Sequence, residues 1–249
     1  MGLVRKIKGL FHTQPKIDKG FKVEFEQLSQ MEKLAVKRFK LDPQDFYPCL
    51  HDKTSNTGFD RHYVYHPAWA TRIVAKSQPE KHVDISSTLH FCSILSAFIP
   101  VDFYDYRPAK LFLTKLNSLS ADLLDLPFGD NTIPSLSCMH TVEHVGLGRY
   151  GDPLDYDGDL KAIKELKRVL AVGGHLLFVV PLGAEGRIFF NAHRIYTKQQ
   201  VLALFSDLTL VDFSLIPENE EDGGLVPNPP DWLLAKQVYG CGCFHFTKT

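Results

Sequence analysis

The chain has 249 residues, and its 28 basic against 29 acidic side chains leave a formal net charge of −1. That length suffices for one large α/β domain with a substantial apolar core, with or without an appendage, and the near-neutral balance gives no field favouring a polyanion, so no nucleic-acid partner is expected. The cysteines (Cys49, Cys92, Cys138, Cys241 and Cys243) are odd in number and scattered. They read as reduced thiols of a soluble cytoplasmic protein rather than a disulfide framework.

No run of about 18 apolar residues is present to span a bilayer, and the N-terminus lacks the apolar core of a secretory signal. The opening GLVRKIKGLF is short and basic, suited to an exposed terminal helix or a membrane-surface contact, and Lys6 stands where a myristoylation signal requires Ser or Thr. Residues 1–61 then mix helical periodicity (FEQLSQMEKLAVKRF) with polar breaks (LDPQDFYP, HDKTSNTGFD) and read as an N-terminal helical appendage.

Residues 62–249 change texture. A helix over YVYHPAWATRIVAKS ends before Pro79, and short apolar runs then alternate with helical segments, the pattern of a mostly parallel sheet covered by helices on both faces. Seven strands are predicted, at HVDIS, PVDFYD, SLSAD, SLSCMH, HLLFVVP, LTLVDFSLI and YGCGCFHFT, with helices at STLHFCSILSAF, DLKAIKELKRVL and TKQQVLALF. In the second of these helices Leu160, Ile163, Leu166, Val169 and Leu170 form one stripe, Asp157 or Asp159 caps the start, and Gly173 and Gly174 end it. The last two strands flank the insert PENEEDGGLVPNPPDW without a clear helix and should pair as an antiparallel edge hairpin. Cys241 and Cys243 lie on one face of the final strand, but no second Cys or His pair is spaced to complete a tetrahedral zinc site, so core packing is expected and no metal.

The pentapeptide HTVEH, His140 to His144, matches the H-x-x-E-H pattern of a zinc protease. That chemistry requires a sustained helix. Here the motif follows an apolar strand directly and runs into VGLGRYGDP, whose glycines and proline forbid one. A nicotinamide dehydrogenase is disfavoured as well, because no G-x-G-x-x-G follows the first strand.

The order ADLLDLPFGDNTIPSLSCMHTVEHV, a helix ending KRVLAVGG, then HLLFVVP resembles the class I S-adenosylmethionine-dependent methyltransferases over about residues 83–246. Within that superfamily YHPAWA, VDISS, DYRP, EHVGLGRYGDP and FNAHRIY resemble a branch classed as a domain of unknown function. The resemblance implies a Rossmann-like fold and S-adenosylmethionine as cofactor. It supplies no substrate.

By that resemblance Asp84 would hold the amino group of the cofactor's methionine moiety, with Ile85 and Ser86 lining the turn. Ser86 stands where the family usually carries Gly, at a turn that can require positive φ. Its hydroxyl, with those of Ser87 and Thr88, could compensate or mark a degenerate pocket. Asp105 ends the second strand, placed to accept both ribose hydroxyls while Val101 and Phe103 point inward; Asp102 is the alternative. Asp122 would accept the adenine amino group beside Leu123, with Asp125 in reserve. Arg107 reads as a salt-bridge or loop residue. His66 and Trp69 would close the cofactor side, Trp69 being equally suited to the core.

His140, Glu143 and His144 follow the fourth strand, where the fold brings methyl group and acceptor together. Methyl transfer depends chiefly on alignment in a dry pocket; for a hydroxyl acceptor His140 or Glu143 would be the base, while His144 better suits bracing of the loop. Arg149, Tyr150, Asn191, His193 and Arg194, on loops at the same sheet edge, suit a small polar or anionic acceptor such as a sugar or glycan precursor. The other reading is a non-catalytic domain that keeps the fold to bind a ligand or protein.

Overall fold

The computed structural model describes residues 17–249; the readings of the basic opening segment and of Lys6 concern residues outside that range. Contacts divide the chain into Met1–Gly58 and Phe59–Thr249. The division falls just before the compositional boundary at 61/62, because Arg61 already opens a helix of the second unit, capped by the Asp60 carboxylate, which accepts from the Tyr63 N–H at 3.1 Å. In the first unit helix α1 (Lys19–Leu34) starts where Asp18 accepts from the Phe21 N–H at 2.7 Å, and Phe21 and Phe25 set ring edges against Phe46.

The second unit contains α2 (Arg61–Ser77), β1 (His82–Ile85), α3 (Leu89–Leu95), β2 (Val101–Asp105), β3 (Leu116–Ser120), β4 (Ile133–Met139), α4 (Gly158–Val169) and β5 (Leu170–Leu182). It continues with β6 (Arg187–Phe189), β7 (His193–Ile195), α5 (Lys198–Leu204), β8 (Thr209–Ile216), β9 (Val226–Pro227), α6 (Asp231–Ala235) and β10 (Gly240–Thr247). The main sheet runs β3-β2-β1-β4-β5-β10-β8-β9, with β1 to β5 parallel in their pairings and β10 antiparallel to both β5 and β8. Thus the last two long strands pair antiparallel as expected, but β10 enters inside the sheet. The insert between them folds into β9 and α6, which leaves β9 at the edge. No helix among the described residues is long and apolar enough to cross a membrane.

Strand alternation gives the sheet two unlike faces. Val83, Ile85, Leu136, Cys138, Leu176, Phe178, Val180, Phe213, Phe244 and Phe246 share one apolar core with α4 and α5. Phe178, Phe205, Phe246, Phe244 and Phe213 form a continuous chain of rings there, neighbouring centroids 4.7–5.9 Å apart. The opposite face packs Val101, Phe103, Leu177 and Val179 against α2 and α3, as the inward reading of Val101 and Phe103 required.

Two local expectations change. In α4 the buried stripe is Ala162, Ile163, Leu166 and Val169, whereas Leu160 is 44% exposed. Leu170 already belongs to β5, and Gly173 (φ +73°) makes a turn within that strand rather than ending the helix. Asp157 occupies the cap position without a side-chain bond, while Asp159 accepts from the Tyr196 hydroxyl at 2.9 Å. FNAHRIY, expected as loop, lies mostly in the β6–β7 hairpin, turned at Asn191 (φ +62°).

Candidate active site

The strand order reverses between β1 and β4, the switch point at which open α/β sheets bind ligands beyond their carboxyl ends. Two adjoining hollows lie there. The first, about 320 Å³, is lined by Ser86, Asp105, Asp122, Leu123, Thr141 and Gly146 among others. The second, about 520 Å³, is lined by Tyr63, Glu143, Arg149, Asn191, His193 and Tyr239 among others. His140, His144 and Tyr150 line both.

The first hollow gathers most of the predicted cofactor residues. Asp105 ends β2 and Asp122 lies just past β3, in a tight turn where it bridges to Asp125, so the third strand stops short of the acid predicted to end it. Each acid holds its own turn with one oxygen: Asp105 Oδ1 accepts from the Arg107 N–H (2.7 Å) and Asp122 Oδ1 from the Leu124 N–H (2.8 Å). The second oxygen of each has no hydrogen bond among the described residues. Asp102 is committed to Lys81 (3.0 Å) and Asn117 (2.7 Å), which removes it as a ribose ligand.

Asp84 and Ile85 do not face the hollow. Ile85 is packed in the apolar core, and Asp84 is wholly buried toward the α2–α3 face, accepting from the Ser87 N–H at 3.0 Å and from Ser137 Oγ. The cause is strand parity: Val83 and Ile85 fill one face, so residue 84 must enter the other. Ser137 and Ser135 continue the network to His82, with Oγ···N distances of 2.8 Å to its two ring nitrogens. Burial pushes the Asp84 pKa up to about 6 and the His82 pKa down to about 3. Ser86, in contrast, lines the hollow at φ +56°, the backbone state for which glycine is the unstrained residue.

The GLGRYGDP loop divides the two hollows. Gly146 (φ +80°) is required, since a Cβ there would stand 2.1 Å from the Asp155 carbonyl oxygen. Asp152 accepts from the N–H groups of Gly146 (2.7 Å) and Tyr150 (3.2 Å), fixing the loop. The Tyr150 ring then has Arg107 and Arg149 over it, at 4.8 and 5.2 Å. Arg107 is therefore a stacking residue of the partition. Arg149, Tyr150, Asn191 and His193 reach the second hollow, whereas Arg194 does not. Arg194 is buried, donating to the carbonyls of Val145 (2.6 Å) and Tyr156 (3.0 Å), and so anchors the loop from β7.

HTVEH forms no helix beyond the single 3-10 turn Val142–His144, as the glycine-rich sequel demanded. His140, at φ +56°, sends Nδ1 to Glu143 Oε1 (2.8 Å) and Nε2 to Cys241 Sγ (3.4 Å). Both ring nitrogens thus face protein groups, which argues against the predicted role of His140 as base. Glu143 is 1% exposed, and its Oε2 is buried without a partner among the described residues. His144 braces the β6–β7 turn through Nδ1, 2.6 Å from the Ala192 carbonyl oxygen, which leaves Nε2 as the lone-pair nitrogen on the hollow walls. Burial lowers its pKa.

His66 and Trp69 do not close the cofactor side. Trp69 is core, donating to Asp212 at 3.0 Å, and His66 is fully buried on α2. Several residues of this region escaped the sequence reading: His62, Tyr63, Thr141 and Tyr239. The available signal was the spacing of His62 and His66, one helical turn apart on the face that continues into Trp69, Ala70 and Val74. Cys241 is packed in the core as expected, and the fold also brings to it histidines that no sequence spacing indicated: one donor atom each of His62, His140 and Cys241 lies within 4.8 Å of the others. Long-range packing of α2 and of the turn after β4 on β10 supplies what no spacing along the chain could.

Residues 130–221 match the family described as Caenorhabditis protein of unknown function, DUF268. An uncharacterized protein of Methanocaldococcus jannaschii is 35% identical over 92 residues, 36% of this chain, and the chain spans 35% of the length of that relative. Among solved structures, the 1,6-didemethyltoxoflavin-N1-methyltransferase of Burkholderia thailandensis, crystallised with 1,6-didemethyltoxoflavin and S-adenosylhomocysteine, aligns with a TM-score of 0.54 at 12% identity, covering 74% of this chain and 79% of that one. The N-methyltransferase NodS of Bradyrhizobium japonicum WM9 aligns with a TM-score of 0.52 at 15% identity, covering 76% and 97%. The chain has the Rossmann-like fold of the class I S-adenosylmethionine-dependent methyltransferases. Its HTVEH, GLGRYGDP and FNAHRIY segments fall within the stretch matched to a domain of unknown function.

Proposed function

We propose that the chain is an S-adenosylmethionine-dependent methyltransferase acting on a small polar acceptor. The observation that carries this reading is the pair of strand-tip carboxylates, Asp105 and Asp122, each with one oxygen uncommitted, on a hollow that shares His140, His144 and Tyr150 with a second one. The residues present suit an adenosyl group: Asp105 would accept the ribose hydroxyls, Asp122 the adenine amino group, and Leu123 would contact the ring. Asp84 contributes nothing directly to the methionine end, so Ser86 and Thr141 stand nearest that role. When bound, the cofactor supplies an electrophilic methyl group for in-line displacement.

The chain's own residues would bind and align the acceptor. Arg149, Asn191 and His193 favour a hydroxylated or anionic molecule, such as a sugar or glycan precursor, and O-methylation follows if the reacting atom is a hydroxyl. His144 would then take the proton at Nε2, its Nδ1–H being held by Ala192, and the lowered pKa keeps it neutral near pH 7. Glu143 positions His140.

One observation favours the non-catalytic reading: Asp84 is consumed inside the sheet, and Ser86 carries a side chain where the family has bare backbone. A thermal-shift and calorimetric titration with S-adenosylmethionine and S-adenosylhomocysteine separates the two. Saturation at about 100 times Kd should stabilise the native chain by about 2.7 kcal/mol. A folded protein that binds neither compound at millimolar concentration overturns the methyltransferase reading.

A further inference from the structure

We infer that His62, His140 and Cys241 form a binding site for a zinc-class divalent cation, with His66 as the fourth donor. Their three donor atoms come from separate elements, the first turn of α2, the residue after β4 and the second residue of β10, yet all lie within 4.8 Å of one another in a buried pocket. The His140 Nε2···Cys241 Sγ distance of 3.4 Å is close to the edge of a tetrahedron with Zn–N near 2.0–2.1 Å and Zn–S near 2.3 Å.

The tautomers are set for coordination. Metal-binding imidazoles characteristically donate their other N–H to a carboxylate or a backbone carbonyl. His140 Nδ1 meets Glu143 Oε1 at 2.8 Å, and His66 Nδ1 meets the His62 carbonyl oxygen at 2.7 Å. Each arrangement leaves Nε2 with its lone pair. His66 lies outside that 4.8 Å group and would draw inward to coordinate; its Nε2 is buried without a hydrogen-bond partner among the described residues, and its ring centroid is 5.1 Å from that of His140. Leaving a buried imidazole nitrogen unpartnered is costly, and coordination to a metal ion removes that cost. One thiolate and three imidazoles suit zinc or cobalt rather than magnesium or calcium. The ion would tie α2 to the strands beneath the acceptor-side hollow, and its binding does not depend on methyl transfer.

The test uses the full-length chain, stripped with a chelator and titrated with Zn²⁺ or Co²⁺. Expected are one ion per chain, an intense tetrahedral cobalt spectrum with a thiolate-to-cobalt charge-transfer band, and a raised Tm. Cys241→Ser should abolish that band and His62→Gln weaken binding at least tenfold, whereas Cys49→Ser, at the exposed thiol, should change neither. Circular dichroism confirms that each variant is folded, and His66→Gln provides a second probe if Cys241→Ser does not fold. Binding that follows Cys49, binding unchanged in both histidine variants, or no stoichiometric binding overturns the proposal, and none of these outcomes bears on cofactor affinity.

Discussion

The two faces of the central sheet differ in kind. Toward α4 and α5 the buried strand residues are apolar and end in a run of phenylalanines. The buried polar residues of β1, β4, β8 and β10, namely His82, Asp84, Ser135, Ser137, Ser214 and His245, alternate with that apolar set and so occupy the other face. Helix α2 adds His62 and His66 to it. Burying apolar area is the main source of stability, whereas buried polar groups are tolerated only when paired. Both faces bury apolar area, but only the α2–α3 face also carries buried polar strand groups able to titrate or coordinate.

The largest test of that contrast is Phe244→Ala. Removing a fully buried ring from the middle of the aromatic chain should cost about 3–5 kcal/mol in urea unfolding; a loss below about 1 kcal/mol would mean that the aromatic chain is not a main source of stability.

On the polar face the expected effects depend on pH. Folded Asp84 keeps its proton to about pH 6, against an ordinary carboxyl near 3.8, so the stability it contributes is present below pH 4 and lost as pH rises to 6. His82 behaves oppositely: it stays neutral down to about pH 3, so its contribution is present above 6.5 and lost as pH falls. Over pH 4–6 the two trends offset. Besides each other, these groups are faced by Cys92 from α3 and by Ser135 and Ser137 from β4. Asp84→Asn removes the first trend, so stability should rise more steeply between pH 4 and 6 than in the parent, by up to about 1.4 kcal/mol per pH unit. Parallel curves for the two proteins would show that Asp84 does not hold its proton.

Effects on ligand binding are expected to be smaller in energy. Asp105→Ala should weaken S-adenosylmethionine binding about 10- to 100-fold by calorimetry, the loss of a charge-assisted hydrogen-bond acceptor, and equal affinity would remove Asp105 from the ribose site. The smallest change is Ser86→Gly. It relieves a left-handed backbone conformation but gives up the Ser86 Oγ to Tyr104 carbonyl bond of 3.2 Å, so stability should move by less than about 1 kcal/mol. Cofactor affinity should rise as the wall recedes; an unaltered Kd would mean that Ser86 does not border the cofactor.

Much of this molecule can be read along the chain. Alternation in VDFYD gave the inward Val101 and Phe103, the end of that run put Asp105 at the strand tip, and the glycines of VGLGRYGDP correctly forbade a metalloprotease helix. Those features are local: period, backbone φ and turn chemistry act over a few residues. What the chain alone left open needed partners from far away. Strand parity sets the face of Asp84, but its pairing there depends on Ser137 in the next strand of the sheet, the anchoring role of Arg194 on carbonyls near residues 145 and 156, and the meeting of His62, His140 and Cys241 on β10 entering between β5 and β8. Sequence fixes which side chains lie on one face of an element, because that follows from helix and strand geometry. Only packing decides which of those faces meet, and hence whether a carboxylate opens to a ligand or closes on a neighbouring hydroxyl.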